Sequence, residues 1–156
     1  MEIERKYHIS TLPKLIENYP HSTLRQGYIY TDPAIRIRQK DSLYFLTVKG
    51  QGLMVREEFE LPISEQVFLD LQKKIDGLMI HKTRYYIPYN QFTIELDCFH
   101  DAYNGLIIAE VEFKTVEEAM TFTPPSWFGP DVTQDNRYQN SHMSKKLMLD
   151  LIIKQP

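Results

Sequence analysis

From Glu2 onward, apolar and polar residues alternate with a period of two through most of the chain, and turn residues break the alternation at short intervals. This pattern predicts β-strands near 1–8, 23–31, 34–40, 43–49, 54–61, 79–88, 92–99 and 106–114. The breaks carry turn chemistry: Asp32-Pro33, Asp41-Ser42, Gly50-Gln51-Gly52, Asn90-Gln91 and Asn104-Gly105. Close spacing favours antiparallel hairpins over crossover units. Helical period interrupts the strands three times. A short helix is expected over Thr11–Asn18. A firmer one is expected over Ser64–Ile75, opened by Ser64 and ended by Asp76-Gly77, with Val67, Phe68, Leu71 and Ile75 on one face. A tail helix over Ser141–Ile153 is expected to pack Met143, Leu147, Met148, Leu151 and Ile152 against the sheet. Phe122–Tyr138 is a long aromatic- and proline-rich connection, of a kind that often closes over something. No repeat or linker divides the chain, so residues 1–156 are expected to form one domain.

Strand alternation also sorts the charges. Side chains at i and i+2 share a face, so Glu2, Glu4 and Lys6 point away from Ile3 and Tyr7. The same holds for Arg36 and Arg38, Glu58 and Glu60, Lys82 and Arg84, Glu95 and Asp97, and Glu110 and Glu112. An antiparallel sheet with one wet face alternates in a similar way. Wet faces usually mix Thr, Ser, Gln and Lys, however, whereas these positions are almost wholly ionised and each of these pairs keeps one sign.

If the sheet closes with helices outside, the charged face becomes the lumen of a barrel, and about eight strands enclose room for one small ligand. The expected fold is therefore α+β: an eight-stranded antiparallel β-barrel with helices packed outside and a C-terminal helix. Its lumen would hold the carboxylates Glu2, Glu4, Glu58, Glu60, Glu95, Asp97, Glu110 and Glu112 and the cations Lys6, Arg36, Arg38, Lys49, Lys82 and Arg84. Unpaired buried ions cost several kcal/mol each, so such a lumen must be wet and its charges must meet partners. Clustered Arg and Lys suit phosphate oxygens, and carboxylates without Cys or His suit hard dications such as Mg²⁺ or Mn²⁺. A metal-bound oligophosphate satisfies both.

The formal net charge is −3, from 18 basic and 21 acidic residues. That balance argues against nucleic-acid capture over an open surface, yet it arises from opposite charges sorted onto separate strands and so leaves room for a small polyanion inside. Cys98 is the single cysteine and the first ten residues lack a basic and an apolar signal region, so a reducing, cytoplasmic setting is expected. No apolar run is long enough for a membrane helix.

The charged pairs match an ordered set of motifs. Glu2-Ile3-Glu4-Arg5-Lys6 is an E-x-E-x-K opening. It is followed by Arg36-Ile37-Arg38, Thr47-Val48-Lys49, Glu58-Phe59-Glu60, Lys82-Thr83-Arg84-Tyr85, Glu95-Leu96-Asp97 and Glu110-Val111-Glu112. Asp131-Val132-Thr133, Arg137-Tyr138 and Asn140-Ser141 complete it. The set resembles the CYTH superfamily, also called triphosphate tunnel metalloenzymes. That resemblance implies an eight-stranded tunnel that acts on triphosphates with Mg²⁺ or Mn²⁺. Carried over by position, Glu2, Glu4, Glu110 and Glu112 would hold metal and organise water, with Glu110 also a catalytic candidate. Lys6, Arg36, Arg38, Lys49, Lys82 and Arg84 would hold phosphate, and Glu58, Glu60, Glu95 and Asp97 would orient those cations or serve a second metal. Tyr28 matches an aromatic assigned in some relatives as a proton acceptor and is the other catalytic candidate. A phenol of ordinary pKa near 10 is a poor base, which favours packing or hydrogen bonding for it.

Among reactions of this family, hydrolysis of inorganic tripolyphosphate is expected, because the short chain shows no adenine or thiamine recognition insert. Thiamine triphosphate hydrolysis and class IV adenylate cyclisation are the alternatives, and cyclase-like members tend to carry a His-Phe ahead of the opening motif, where only Met1 stands here. A non-catalytic polyphosphate-binding module is the alternative of another class, although anion binding alone gains little from so many carboxylates. Exposed strand edges and the aromatic loop are compatible with a homodimer. Other chemistries fit poorly: Asn104 stands where a cysteine phosphatase loop needs Arg, Gly50-Gln51-Gly52 lacks a P-loop ending, and the five histidines show no metal-ligand spacing.

Overall fold

The structure is a computed structural model and describes residues 1–145 together with Leu147 and Leu151. Nine strands form one antiparallel sheet: β1 (Glu2–His8), β2 (His21–Thr31), β3 (Ala34–Lys40), β4 (Leu43–Lys49), β5 (Val55–Arg56), β6 (Glu58–Ile63), β7 (Ile80–Tyr89), β8 (Phe92–Phe99) and β9 (Ile107–Glu112). Their order is β5-β1-β9-β8-β7-β2-β3-β4-β6. The ninth strand comes from the segment expected over 54–61, which changes partner at Glu57. Before it, Arg56 pairs with Glu2 of β1; after it, Glu58 pairs with Lys49 of β4. Two consecutive strands thus occupy opposite ends of the sheet, and the chain itself nearly closes the barrel.

The expected helix over Thr11–Asn18 is reduced to one 3₁₀ turn, Ile16–Asn18. Pro13 interrupts the segment and Leu15 takes a left-handed backbone with φ 59°, which an α-helix cannot continue through. The second helix, α1 (Glu65–Gln72), is capped by Ser64, whose hydroxyl accepts from the Val67 amide at 3.2 Å. It buries Phe68 against Tyr44, with ring centroids 5.1 Å apart, while Val67 is exposed. A further helix, α2 (Val116–Thr121), is capped by Thr115.

The aromatic connection does close over something, and that is the outer wall. Phe122 meets Phe113 at 5.2 Å and Phe128 meets Tyr7 at 4.8 Å, covering the apolar outer face of β1, β8 and β9. The chain then runs beside β1: the His8 amide donates to Pro130 and the Val132 amide to Lys6, both at 2.9 Å. Gly129 approaches the His8 carbonyl so closely that no Cβ would fit. The open edge of β1 is therefore occupied by β5 at one end and by residues 129–132 at the other.

The last described helix, α3 (Asn140–Lys145), packs differently from the expected outer cover. Past Lys82, Asp97 and Glu110, the lumen-facing positions of β7, β8 and β9 become Ile80, Phe99 and Ile108. These form one cluster with Tyr103, Leu106, Met143 and Leu151. One end of the barrel is thus filled with apolar side chains, and α3 supplies Met143 to it. Leu147 remains over a third exposed. Met148 and Ile152 lie outside the described residues.

Candidate active site

The lumen holds a cavity of about 180 Å³. Its walls carry every charged residue expected in the lumen except Asp97, together with Tyr28; Asp131 and Arg137 of the motif set do not line it. The period-two alternation accounts for this: each strand turns alternate residues inward, and the register sets them side by side. Glu4 stands opposite Glu112 and Lys6 opposite Glu110 between β1 and β9; Glu95 stands opposite Glu110 between β8 and β9. Tyr28 stands opposite Arg36 between β2 and β3, and is almost fully buried.

Asp97 is wholly buried beneath the cavity. Arg84 donates to it through Nε at 2.7 Å to Oδ1 and Nη2 at 2.9 Å to Oδ2, and Lys82 Nζ lies 2.7 Å from the same Oδ2. Burial opposes ionisation of Asp97, but Arg84 and Lys82 outweigh it and hold the carboxyl below its ordinary value. Burial likewise disfavours charge on both cations. Asp97 and Glu95 prevail at Arg84, which is pushed well above its usual pKa, whereas Lys82 is drawn down to about 8.

The remaining carboxylates divide by environment. Lys49 Nζ binds Glu2 at 2.9 and 3.1 Å and lies 3.5 Å from Glu58. Against its burial, Glu2 is brought down to about 2 by Lys49 and a hydrogen bond with Glu58; Glu58 is raised by burial and by the same hydrogen bond. Glu110, although buried, is held below the usual carboxylate range by Lys6 at 4.0 Å and Arg84 at 3.8 Å. Glu60 approaches Arg36 at 3.8 Å and accepts from Thr47 at 3.1 Å.

Glu4 is the exception. It is 6% exposed, and among the described residues no cation pairs with it. Burial, Glu110 and Glu2 push it up to about 8. Glu112 is raised in the same direction by burial, Glu2 and Glu95. Like charges directly opposite in a sheet repel, so the Glu4–Glu112 pair is stabilised by any dication placed between the strands. Among the described residues no three metal-ligand side chains are gathered into a ready cage. The pairing explains this: Lys49 and Arg56 draw on Glu2, and Lys6 and Arg84 draw on Glu110. The unpaired, all-oxygen donors Glu4 and Glu112 fit a hard cation such as Mg²⁺ or Mn²⁺.

The CYTH domain matches residues 1–121. The chain belongs to the CYTH family. It is 38% identical over 149 residues to an inorganic triphosphatase of Nitrosomonas europaea, spanning 92% of this chain and 96% of that one. It is 36% identical over 126 residues to an inorganic triphosphatase of Acetivibrio thermocellus, spanning 78% and 79%. A solved structure of an inorganic triphosphatase superposes with a TM-score of 0.70 at 35% identity, covering 94% of this chain and 96% of the other. A putative adenylyl cyclase from Hippeastrum shares the fold, at 15% identity and a TM-score of 0.57, over 77% of this chain and 83% of its own.

This CYTH lumen also contains residues outside the charged pairs: Gln26, Lys40 and Arg56, which the motifs did not mark, and Asn140 and Ser141, which close the motif set. Lys40 continues the Arg36–Arg38 alternation and Gln26 shares the face of Tyr28, so both were accessible to the same rule. Arg56 precedes Glu58 by two positions and lies 3.6 Å from Glu2. Asn140 and Ser141 enter from α3, where strand periodicity carries no information.

Proposed function

We propose that this chain is an inorganic triphosphatase, hydrolysing tripolyphosphate to pyrophosphate and phosphate by in-line attack of water inside the lumen. The observation that carries this reading is the split of the lumen into a cationic wall with spare positive charge and a carboxylate wall with spare negative charge. Among the described residues, Arg38 on one wall and Glu4 and Glu112 on the other meet no counter-ion. The two similar triphosphatases, which match most of the chain, support the same reading.

Lys6, Arg36, Arg38, Lys49, Lys82 and Arg84 bind the phosphate oxygens and offset the charge that builds up as the bridging P–O bond breaks. Glu58, Glu60, Glu95 and Asp97 aim those cations. Glu2, Glu4, Glu110 and Glu112 form the metal-binding wall, with Glu4 and Glu112 the least committed to protein cations. A bound Mg²⁺ or Mn²⁺ there supplies charge neutralisation and a more acidic water. Glu110, kept ionised by Lys6 and Arg84, accepts a hydrogen bond from the attacking water and orients it; the same neighbours make it a poor final proton acceptor. Tyr28 faces the phosphate path as a hydrogen-bonding group beside Arg36.

The test is phosphate release from tripolyphosphate, ATP and thiamine triphosphate with Mg²⁺ or Mn²⁺, with cyclic AMP assayed in parallel. Tripolyphosphate turnover that Glu4→Ala or Glu112→Ala abolishes without unfolding is expected. Release from no substrate would favour a binding module, and cyclic AMP without phosphate release a cyclase.

A further inference from the structure

Two side-chain amides lie in the floor of the lumen between two of its cations. Lys82 Nζ donates to Asn140 Oδ1 at 2.8 Å, Gln26 Nε2 donates to the same oxygen at 2.9 Å, and Arg38 Nε donates to Gln26 Oε1 at 2.7 Å. Gln26 is fully buried and Asn140 is 8% exposed. Lysine and arginine side chains only donate. Lys82 therefore requires the oxygen of Asn140, and Arg38 requires the oxygen of Gln26. With both oxygens committed, Gln26 reaches Asn140 only through its NH₂ group, so obligate donors at the two ends hold both amides in one orientation.

These two acceptors carry no charge, like the Thr47 hydroxyl that accepts from Arg36 at 3.1 Å and the Tyr138 carbonyl that accepts from Lys6 at 3.4 Å. Lys6, Lys49, Arg36, Lys82 and Arg84 each meet at least one carboxylate, whereas among the described residues none reaches Arg38. Arg38 sits deep enough that burial, with Arg36 and Arg84 beside it, lowers its pKa to about 9. A carboxylate in place of Gln26 would bind the guanidinium more strongly, since hydrogen bonds between ions exceed those to neutral groups, but it would cancel the charge that a phosphate needs.

We propose that Gln26 and Asn140 are positioning residues for the triphosphate: Gln26 fixes Arg38 through an uncharged acceptor, and Asn140 ties Gln26 to Lys82, which Asp97 already pairs, so that no further negative charge offsets the cations of the lumen floor. This rests on the tripolyphosphate reading of the lumen. Neither residue is placed against the reacting atoms; each acts through the cation it holds.

Asn140→Asp separates this role from a merely structural one. The substitution preserves both acceptor bonds and nearly the same shape, so a structural role predicts unchanged ligand binding. The charge argument predicts a thermal midpoint at or above wild type together with tripolyphosphate binding weakened about tenfold or more, read as Kd by titration calorimetry in the presence of a chelator. Gln26→Glu is expected to weaken binding likewise, and it decides by the same criterion if Asn140→Asp shows no cooperative melting. Equal Kd values for wild type and variants would overturn the inference alone. A wild-type protein that binds no tripolyphosphate would overturn both the inference and the functional reading beneath it.

Discussion

Arg84 grips Asp97 through two parallel hydrogen bonds of 2.7 and 2.9 Å, and Lys82 closes on the same carboxylate at 2.7 Å. One wholly buried acid thus supports two cations that reach the cavity above it. Removing one member of a buried ion cluster leaves uncompensated charge and costs about 3–5 kcal/mol. Asp97→Ala is therefore expected to lower the thermal midpoint steeply, and Asp97→Asn, which keeps the shape, by less. Because Asp97 is held below its ordinary pKa, its contribution is present above the unfolded carboxylate pKa and is lost as pH falls through the folded value. Melting curves carried from pH 5 to below pH 3 should show wild type losing stability that Asp97→Asn does not; parallel curves would contradict this.

Glu4 should show the opposite sign. Its pKa is raised from 4.5 to about 8, so the folded state favours the protonated form. That stability is complete below pH 4.5 and is lost as pH rises toward 8. In chelator, wild type should lose several degrees of thermal midpoint over this window relative to Glu4→Gln. Added Mg²⁺ or Mn²⁺ should restore the loss in wild type alone, most strongly at the alkaline end, where the carboxylate is free to bind a cation. Identical pH profiles for the two proteins would remove Glu4 from the metal wall.

Arg38 carries charge that no carboxylate among the described residues offsets. Arg38→Gln is expected to reduce kcat/KM for tripolyphosphate by about 10²–10³-fold, the scale set by losing one aligned transition-state donor. It should leave the thermal midpoint level or higher, because a deep cation beside Arg36 and Arg84 has been removed. Steady-state kinetics paired with calorimetry would test both; a fall in stability matching the fall in activity would assign Arg38 to the scaffold instead.

Gly27 lies between the lumen residues Gln26 and Tyr28 and faces outward, where a Cβ would collide with Ile75 Cδ1 and stand 2.6 Å from Met79 Sδ. Gly27→Ala is expected to cost about 1–3 kcal/mol by overpacking. Ile75→Ala should recover much of that loss in the double variant, and additive effects in the cycle would show that the clash is not the cause.

The alternation of Glu2, Glu4 and Lys6, and of the pairs on the later strands, was enough to place the charged residues in one lumen, because a period of two is a direct property of the extended backbone. It could not separate Asp97 from Glu95: they share a face, and only the closed barrel shows that one is sunk below the cavity. Nor could it reveal the change of partner at Glu57. Arg56, Glu58 and Glu60 keep the period unbroken across it, so the alternation reads the same whether the segment pairs with one neighbour or two. The inward packing of Met143 depends on contacts between segments distant in the chain, whereas the short 3₁₀ turn at Ile16 has a local cause in Pro13 and the left-handed Leu15. The amides of Gln26 and Asn140 are invisible to a search for charge.

The switch at Glu57 also constrains the order in which this protein can assemble. Its first strand pairs with Val55–Arg56 on one side and with Ile108–Glu112 on the other, so the N-terminal carboxylates gain their second neighbour only after most of the chain exists. Long-range pairings of this kind are slow to form. During synthesis, the hairpins from His21 to Lys49 can zip up early, while Glu2 and Glu4 wait for β9. The carboxylate wall proposed to hold the metal is then the last part of the lumen to be completed, and on that reading a nascent chain cannot bind an ion there until the barrel has closed.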